Sequence, residues 1–228
     1  MRTLGVTDLL AGSPDWAYAL AAVWTQLGDA WALCGLTVAL AIVARRRSIF
    51  KNSVVDPIVV LAVVIGAYGL TVGLKTLIGA PRPPIPARTI EWVGPAGVLL
   101  EWFAHADGVG FPSGHALVST AAYGTIARRW RDAPRRPSAV LVAMLVGSIG
   151  LSRLLLGVHY LVDVLAGVAI GGLVLAVTAR ARDRTVVLGG TLTGGLFGLL
   201  GGQILLFVTA IGAGAWWVAA SRRETHSR

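Results

Sequence analysis

The sequence predicts an all-α fold, a multi-pass transmembrane helical bundle with about six spans. Of its 228 residues, 55% are hydrophobic and only 14% are charged, whereas soluble domains carry about a quarter charged residues. The mean hydropathy is +0.73, and the apolar residues form long runs comparable with the roughly 20 residues that cross a bilayer. These observations exclude an ordinary soluble domain, a disordered chain and a collagen-like chain.

Six apolar runs bounded by charged residues give the predicted spans. They cover residues 16–44, 57–79, 114–127, 138–152, 160–179 and 185–220. The first run contains Asp29, so it is either one long tilted helix or an interfacial helix followed by a shorter span. The last run is long for one upright span and short for two, which leaves one long helix or a hairpin. We expect residues 1–228 to form a single integral-membrane domain with a motif-bearing core at about 57–180.

The basic residues predict how the chain is oriented in the cell membrane. Three connections hold most of them: Arg45, Arg46, Arg47 and Lys51; Arg128, Arg129, Arg131, Arg135 and Arg136; and Arg180, Arg182 and Arg184. These connections follow the first, third and fifth spans, and the positive-inside rule makes them cytoplasmic. The proline-containing loop at about 80–112, with Trp92 and Trp102 suited to the interface, is then extracytoplasmic, as is 153–159. Because orientation explains the net charge, membrane lipids are the expected partners and nucleic acid is not.

Cysteine and glycine usage limits how the chain is held together. The single cysteine, Cys34, excludes an intramolecular disulfide and a cysteine metal cluster. Gly190, Gly194, Gly198 and Gly202 recur at intervals of four, which presents small positions along one helical face. Helix packing within the chain is the favoured explanation, and a homo-oligomer is left open.

Polar residues at the outer ends of the predicted spans are the functional candidates, because a bilayer disfavours them unless something offsets their desolvation. They form four clusters, of which three combine several residues: Lys75 with Arg82; Ser113, Gly114 and His115; and Ser152, Arg153, His159 and Asp163. The fourth is Asp29, alone. Taken singly, each has a structural explanation, such as snorkelling of the lysine, headgroup pairing of Arg82, an N-cap at Ser113 or an ion pair between Asp163 and Arg153. Asp29 has no partner suggested by its spacing and is interpreted as structural or interfacial.

Together, these clusters predict a phosphate site at one membrane face. Arginine matches phosphate oxygens with a planar fork of donors, and lysine adds a compact positive charge. Ser113 and Gly114 begin a predicted helix, whose free amides and dipole also favour an anion. His159 and Asp163 are four residues apart, so the carboxylate can orient the ring for attack on phosphorus. His115 can then protonate the leaving oxygen. A metal is not expected, because the cations would repel it, and no cofactor is expected.

The pattern Lys75-x6-Arg82-Pro83, Pro112-Ser113-Gly114-His115 and Ser152-Arg153-x5-His159-x3-Asp163 resembles the three signature motifs of the type 2 phosphatidic acid phosphatase superfamily, in order and with intact spacing. The resemblance covers roughly residues 57 to 180. It implies an integral-membrane, metal-independent lipid phosphatase with a six-helix core and an active site at the outer leaflet. By this resemblance, His159 forms a phosphohistidine, Asp163 supports it, and His115 is the acid.

The same resemblance implies phosphate binding by Lys75, Arg82, Ser113, Gly114 and Arg153, but it does not name the lipid. Members of the superfamily act on phosphatidate, phosphatidylglycerol phosphate, polyprenyl diphosphates, sphingoid phosphates or glucose 6-phosphate. Two other functions remain as alternatives: haloperoxidation with vanadate held in a similar pocket, and lipid or phosphate transport. The membrane spans disfavour the first, and the nearly charge-free span interiors disfavour the second.

Overall fold

The computed structural model describes residues 5–46, 56–85, 88, 94–130, 135–203, 208 and 212. Within these residues the chain forms helices joined by short connections, and its one β-bridge joins Pro81 to Val109. The helices are α1 (Val6–Ala11), α2 (Asp15–Trp24), α3 (Ala30–Arg46), α4 (Pro57–Ile78), α5 (Ala96–Ala104), α6 (Gly114–Arg129), α7 (Arg135–Leu155), α8 (Leu161–Arg180) and α9 (Asp183–Leu200), with a 3-10 turn at Thr25–Gly28.

The predicted bundle of apolar helices is confirmed. Three helices are long and apolar enough to cross a membrane by length and composition: Pro57–Ile78, Arg136–Leu155 and Leu161–Arg180. A shorter apolar segment covers Ala30–Ala39. Large apolar side chains such as Met144, Leu173 and Leu192 are about two-thirds exposed on the outside of α7, α8 and α9. These outer faces suit contact with lipid chains.

The first apolar run is broken at Asp29, so the structure departs from a single long helix. Helix α2 ends at Trp24, the 3-10 turn follows, and Asp29 has extended backbone angles of φ −78° and ψ 141°. The Asp29 carboxylate accepts a hydrogen bond from Trp31 N at 3.4 Å, which satisfies an amide at the start of α3. A short helix followed by a shorter span is therefore the correct alternative.

Helix α4 carries Lys75 to the end of the bundle that holds the site. The helix starts at Pro57 after Asp56, whose side chain accepts a hydrogen bond from Ile58 N at 2.9 Å. It ends at Gly79, which adopts φ 62° and donates its amide to the Lys75 carbonyl at 2.9 Å. Such a left-handed glycine cap stops the helix one turn after Lys75.

The glycine row of the last apolar run packs against α4 within the same chain. An added Cβ at Gly69 would lie 2.6 Å from Cα of Gly194. A Cβ at Gly190 would collide with the Ala62 carbonyl, so both glycines allow close backbone contact. Gly202 lies beyond the end of α9, with φ 70°. The structure thus assigns this row to intramolecular packing, and most of the run beyond residue 203 lies outside the described residues.

The loop at about 80–112 contains the short helix α5, which packs beside α2. Ala104 of α5 is buried in a cluster with Tyr18, Ala22 and Leu156. In contrast, Val98, Leu99 and Trp102 point outward and are 53–72% exposed. Trp92 lies outside the described residues. An apolar helix surface thus flanks the region where the motif-bearing helix ends meet.

The helix ends separate the polar motifs from the basic clusters. The C-terminal ends of α4 and α7 meet the N-terminal ends of α6 and α8 at one end of the bundle. Helix α6 has 16 residues, so its other end is roughly 24 Å away at 1.5 Å per residue. At that far end, Arg129 pairs with Asp183 at 2.7 Å.

Candidate active site

A buried histidine and aspartate lie at the base of the site. His159 is 1% exposed and Asp163 is completely buried. His159 Nδ1 lies 3.4 Å from Asp163 Oδ2, and the same oxygen accepts a hydrogen bond from Tyr160 N at 3.0 Å. Because Asp163 occupies the first turn of α8, this contact holds the carboxylate under the imidazole. The predicted four-residue pairing is present.

Arg82 approaches the other nitrogen of the same ring. Its Nη1 lies 3.3 Å from His159 Nε2 and donates to the Val158 carbonyl at 2.8 Å. Its Nε donates to the Asp107 carbonyl at 3.0 Å. A guanidinium only donates hydrogen bonds, so Nε2 is the accepting nitrogen and the proton resides on Nδ1 towards Asp163. This tautomer leaves the lone pair of Nε2 at the Arg82 side, where an anion would bind.

The start of α6 brings Ser113, Gly114 and His115 to the same place. Ser113 occupies the N-cap position, but its side chain makes no capping hydrogen bond, and its Oγ is buried without a hydrogen-bond partner among the described residues. Its amide donates to the Asp163 carbonyl at 3.0 Å. The N-cap explanation for the hydroxyl is therefore wrong, because Ser113 occupies the N-cap position with its backbone alone.

A cavity of about 630 Å³ connects the motif residues. Its lining includes Lys75, Arg82, Gly114, His115, Arg153 and His159, and also Asp29. Arg153 is 2% exposed; its Nη1 donates to Thr25 Oγ1 at 2.9 Å, while its Nε has no hydrogen-bond partner among the described residues. The structure thus brings together residues from α4, α6 and α7, and from the connections that hold Asp29, Arg82 and His159, around one space with three positively charged side chains.

The surroundings of His159 favour its neutral form. Burial, together with the positive charges of Arg153, Arg82 and Lys75, lowers the pKa of His159 from 6.5 to about 3 despite the opposing contact with Asp163. Burial also lowers the pKa of the Arg82 guanidinium, and the negative charges of Asp163 and Asp107 offset part of this decrease. A neutral imidazole keeps a lone pair for attack. An anion among these buried cations would offset part of their desolvation.

The sequence of the motif-bearing region matches a family model. The model described as "PAP2 superfamily" matches residues 56–186, more than half of the chain. The chain belongs to the PAP2 superfamily. The predicted membership, and with it the class of phosphoric-ester hydrolase, is confirmed. Among the three functions considered from the sequence, the family supports the phosphatase.

Relatives of this PAP2 chain include a phosphatase from Mycobacterium tuberculosis. The protein named decaprenylphosphoryl-5-phosphoribose phosphatase, from two strains of that organism, is 33% identical over 161 residues, covering 68% of this chain and 76% of the relative. A crystal structure of a transmembrane PAP2-type phosphatidylglycerolphosphate phosphatase from Bacillus subtilis superposes with a TM-score of 0.61. At 22% identity over 78% of this chain and 86% of that one, this likeness supports the fold.

Three residues outside the matched segment also contact the site, and the sequence did not reveal them. Thr7 Oγ1 donates a hydrogen bond to the His159 carbonyl at 3.0 Å. Thr25 Oγ1 accepts the hydrogen bond from Arg153 Nη1. Asp29 Oδ2 lies 3.5 Å from His115 Nε2. Asp29, interpreted from the sequence as structural or interfacial, thus lies beside a motif histidine in the structure. A polar residue inside an apolar run was its signal, but its spacing from the motifs indicated no contact.

The types of side chain grouped around the cavity determine whether a metal ion could bind there. In the part of the chain that the structure describes, no three His, Cys, Asp or Glu side chains are grouped as metal ligands. His105, the histidine next to the motifs, pairs with Asp107 at 2.8 Å. Independence from metal ions remains a prediction of the sequence, and the site roles of the eight motif residues remain predictions as well.

Proposed function

We propose that this PAP2 protein hydrolyses a phosphomonoester or diphosphate of a membrane lipid by a metal-independent phosphohistidine mechanism. The observation that carries the proposal is the geometry of His159, which has Asp163 at one ring nitrogen and Arg82 at the other. A neutral, carboxylate-supported imidazole beside a cationic phosphate pocket is suited to nucleophilic attack on phosphorus.

The first chemical step transfers the phosphoryl group to the protein. His159 Nε2 attacks phosphorus, the bond between phosphorus and the lipid oxygen breaks, and that oxygen takes a proton from the protonated His115. Arg82, Arg153 and Lys75 balance the negative charge on the other phosphate oxygens. Asp163 stabilises the positive charge that His159 acquires.

The second step releases phosphate and restores the protein. Water attacks the phosphohistidine, the now neutral His115 accepts a proton from that water, and the bond between phosphorus and His159 Nε2 breaks. His115 thus returns to its protonated form and His159 to its neutral form, with the acid acting as the base in the second half.

A lipid substrate is supported by the surroundings of the cavity. Helix α5 presents Val98, Leu99 and Trp102 beside the site, an apolar surface on which acyl or prenyl chains can lie. The residues proposed to bind the phosphate lie at helix ends and in the connections between helices, and not in the interior of the spans. The M. tuberculosis relative is named for a phosphoribose on a decaprenyl phosphate, so polyprenyl-linked phosphates stand first among the candidates, followed by phosphatidate and phosphatidylglycerol phosphate.

The decisive experiment measures phosphate release from these lipids in detergent with EDTA present. We expect release by wild type, undiminished by the chelator, and loss of about three orders of magnitude or more in His159→Ala. His226→Ala, which changes a histidine outside the motifs, is the matched control. An acid-labile phosphorylated protein should be trapped with wild type only. Turnover that survives in His159→Ala would exclude the phosphohistidine.

We further propose that the site faces the extracytoplasmic side and that the opposite, basic end is cytoplasmic. In a Cys34→Ser background, Asp107→Cys tests the site end and Asp183→Cys tests the far end. Both side chains are at least half exposed. A membrane-impermeant thiol reagent added to intact cells should label the first and spare the second. The reverse labelling would invert the orientation.

A further inference from the structure

His115 has a carboxylate neighbour that lies far from it in the sequence. Asp29 Oδ2 is 3.5 Å from His115 Nε2, and both residues line the cavity. The two side chains are 31% and 19% exposed, so the pair is shielded from bulk water while it faces the substrate space. His115 Nε2 makes no hydrogen bond within the described part of the chain. The Asp29 carboxylate is therefore the acidic group placed beside this nitrogen.

Close packing of the 3-10 turn places Asp29 at this position. A Cβ added to Gly28 would lie 2.6 Å from Ile149 Cγ2 and 3.3 Å from His115 Cβ. Only a residue without a side chain fits there, so the backbone next to Asp29 lies directly against α6 and α7. Four residues earlier, Thr25 accepts the hydrogen bond from Arg153. The turn is thus fixed to the site at two points.

The charges around His115 make such a partner necessary for the proposed chemistry. An acid that donates to the lipid oxygen has to be protonated and positively charged before the bond breaks. The other titratable groups that face this ring are Lys75 and Tyr68 of α4, Arg82 and His159 of the loops, and Arg153 of α7. Three of them, Lys75, Arg82 and Arg153, are basic side chains whose positive charges disfavour an additional positive charge on the ring. A carboxylate beside the ring offsets that repulsion.

We propose that Asp29 is a positioning residue of the reaction, the counter-charge that keeps His115 protonated and oriented for donation to the departing oxygen. The inference rests on the proposed function, because it assumes that His115 is the acid. It extends the site to a segment upstream of residues 56–186, the range matched by the family model. In the same site, Asp163 serves the nucleophile and Asp29 serves the acid.

The test compares two leaving groups. Dodecyl phosphate releases a strongly basic alkoxide that needs a proton, whereas p-nitrophenyl phosphate releases a stable phenolate that does not. Asp29→Asn keeps an oxygen for Trp31 N but removes the charge. We expect this variant to slow phosphohistidine formation in the first turnover, measured by rapid quench, about 10- to 100-fold for dodecyl phosphate and less than about threefold for p-nitrophenyl phosphate. The descending limb of the pH–rate profile should move to lower pH.

Three further variants keep the test decisive. In the first turnover, His115→Ala should show the same dependence on the leaving group, and adding Asp29→Asn to it should cause no additional loss in that step. Asp29→Glu, which retains the charge, should recover part of the activity with dodecyl phosphate even if Asp29→Asn folds poorly. Asp183→Asn, the same change at the far end of the bundle, is the matched control.

The outcomes separate this proposal from the proposed function. If wild type releases phosphate from neither compound and His159→Ala changes nothing, the proposed function fails. If wild type is active but Asp29→Asn slows phosphohistidine formation equally from both substrates, or if its effect on that step persists undiminished in the His115→Ala background, Asp29 has only a structural role and the proposal is overturned.

Discussion

The two histidine–aspartate pairs of the cavity are built in different ways. His159 and Asp163 are four residues apart, 3.4 Å from each other, and almost completely buried. His115 lies on α6 and Asp29 directly after the 3-10 turn; the two are 3.5 Å apart and remain partly open to the cavity. The first pair follows from the geometry of one helix start. The second exists only because a turn packs against α6. One pair is therefore local and rigid, while the other depends on tertiary structure.

Removing the charge of the local pair should have the largest effect. Asp163→Asn keeps an acceptor for Tyr160 N but no longer stabilises a positively charged His159. We expect kcat to fall by about 10²- to 10⁴-fold, as for charge removal in other carboxylate–histidine pairs. The loss should be similar for dodecyl phosphate and p-nitrophenyl phosphate, because the nucleophile serves both. Steady-state kinetics of the two substrates measures it, with thermal unfolding as the folding control.

A loss restricted to dodecyl phosphate in Asp163→Asn would contradict this division of roles. It would show that Asp163 influences proton donation, which we assign to the pair of His115 and Asp29. The comparison between Asp163→Asn and Asp29→Asn on the same two substrates thus tests both assignments at once.

The pH dependence should distinguish the two rings next. Since burial and neighbouring cations lower the pKa of His159 to about 3, the ring is neutral and able to attack at every pH well above 3. Formation of the phosphohistidine from p-nitrophenyl phosphate should therefore show no ascending limb near 6.5. A group with a lowered pKa becomes protonated only as the pH falls through the new value, so activity should decline towards pH 3. Rapid-quench measurement of the first turnover between pH 4 and 9 checks this.

An ascending limb with a midpoint of 6 to 7 in that experiment would contradict the expected state of His159. The groups facing the ring are Arg82, Arg153, Lys75 and Asp163. Arg82→Lys is the useful comparison, because it keeps a positive charge but changes the contact at Nε2. The pH profile of Arg82→Lys should likewise show no ascending limb with a midpoint of 6 to 7.

The sequence predicted the fold class and the local pair of His159 and Asp163, for identifiable physical reasons. Apolar runs indicated the helices, and the predicted spans 57–79, 114–127 and 160–179 agree closely with α4, α6 and α8. Helix periodicity predicted the contact between His159 and Asp163. A motif at the end of each span indicated which residues would meet, because successive spans alternate in direction.

The remainder depends on contacts that no local pattern encodes. Asp29 interrupts an apolar run, which made the break in the helix one of two alternatives, but its approach to His115 is set by the packing of Gly28 against Ile149. Similarly, the contact of Thr25 with Arg153 joins two helices far apart in sequence. Side chains that meet through tertiary packing leave no periodic signal in one sequence.

A smaller effect is expected from a change that touches only the non-local pair. Gly28→Ala introduces a methyl group 2.6 Å from Ile149 Cγ2 and 3.3 Å from His115 Cβ. Overpacking of this kind costs about 1–3 kcal/mol, and it should push the turn and Asp29 away from the ring. We expect a lower unfolding temperature and a loss of about 3- to 30-fold in the rate of phosphohistidine formation from dodecyl phosphate, with p-nitrophenyl phosphate less affected.

Gly35→Ala is the matched control for that change. It lies on α3, and a Cβ there meets no atom within 4 Å, so stability and activity should remain at wild-type levels. If Gly28→Ala left the ratio of the two activities unchanged, close packing of the turn would not be what sets the contact between Asp29 and His115.

The smallest effect is expected at Arg88, which connects the chain between α4 and α5 to the segment that leads into the 3-10 turn. Its Nη1 donates to the Ser13 carbonyl at 2.7 Å and its Nη2 lies 3.1 Å from Asp15. The guanidinium also lies over the Tyr18 ring, 5.3 Å from its centre. The pair is partly exposed, with side chains 31% and 62% accessible, so solvent screening limits its contribution to about 0–1 kcal/mol.

Arg88→Ala should therefore lower activity towards dodecyl phosphate by less than about threefold, with Arg180→Ala at the far end as control. The loss should be absent with p-nitrophenyl phosphate, because α2 and the turn position Asp29 and not Asp163. Parallel measurement of both substrates and of the unfolding temperature gives the answer. A large loss with both substrates would mean that the N-terminal segment supports the nucleophile too, through the contact of Thr7 with the His159 carbonyl, and the two pairs would then share one scaffold.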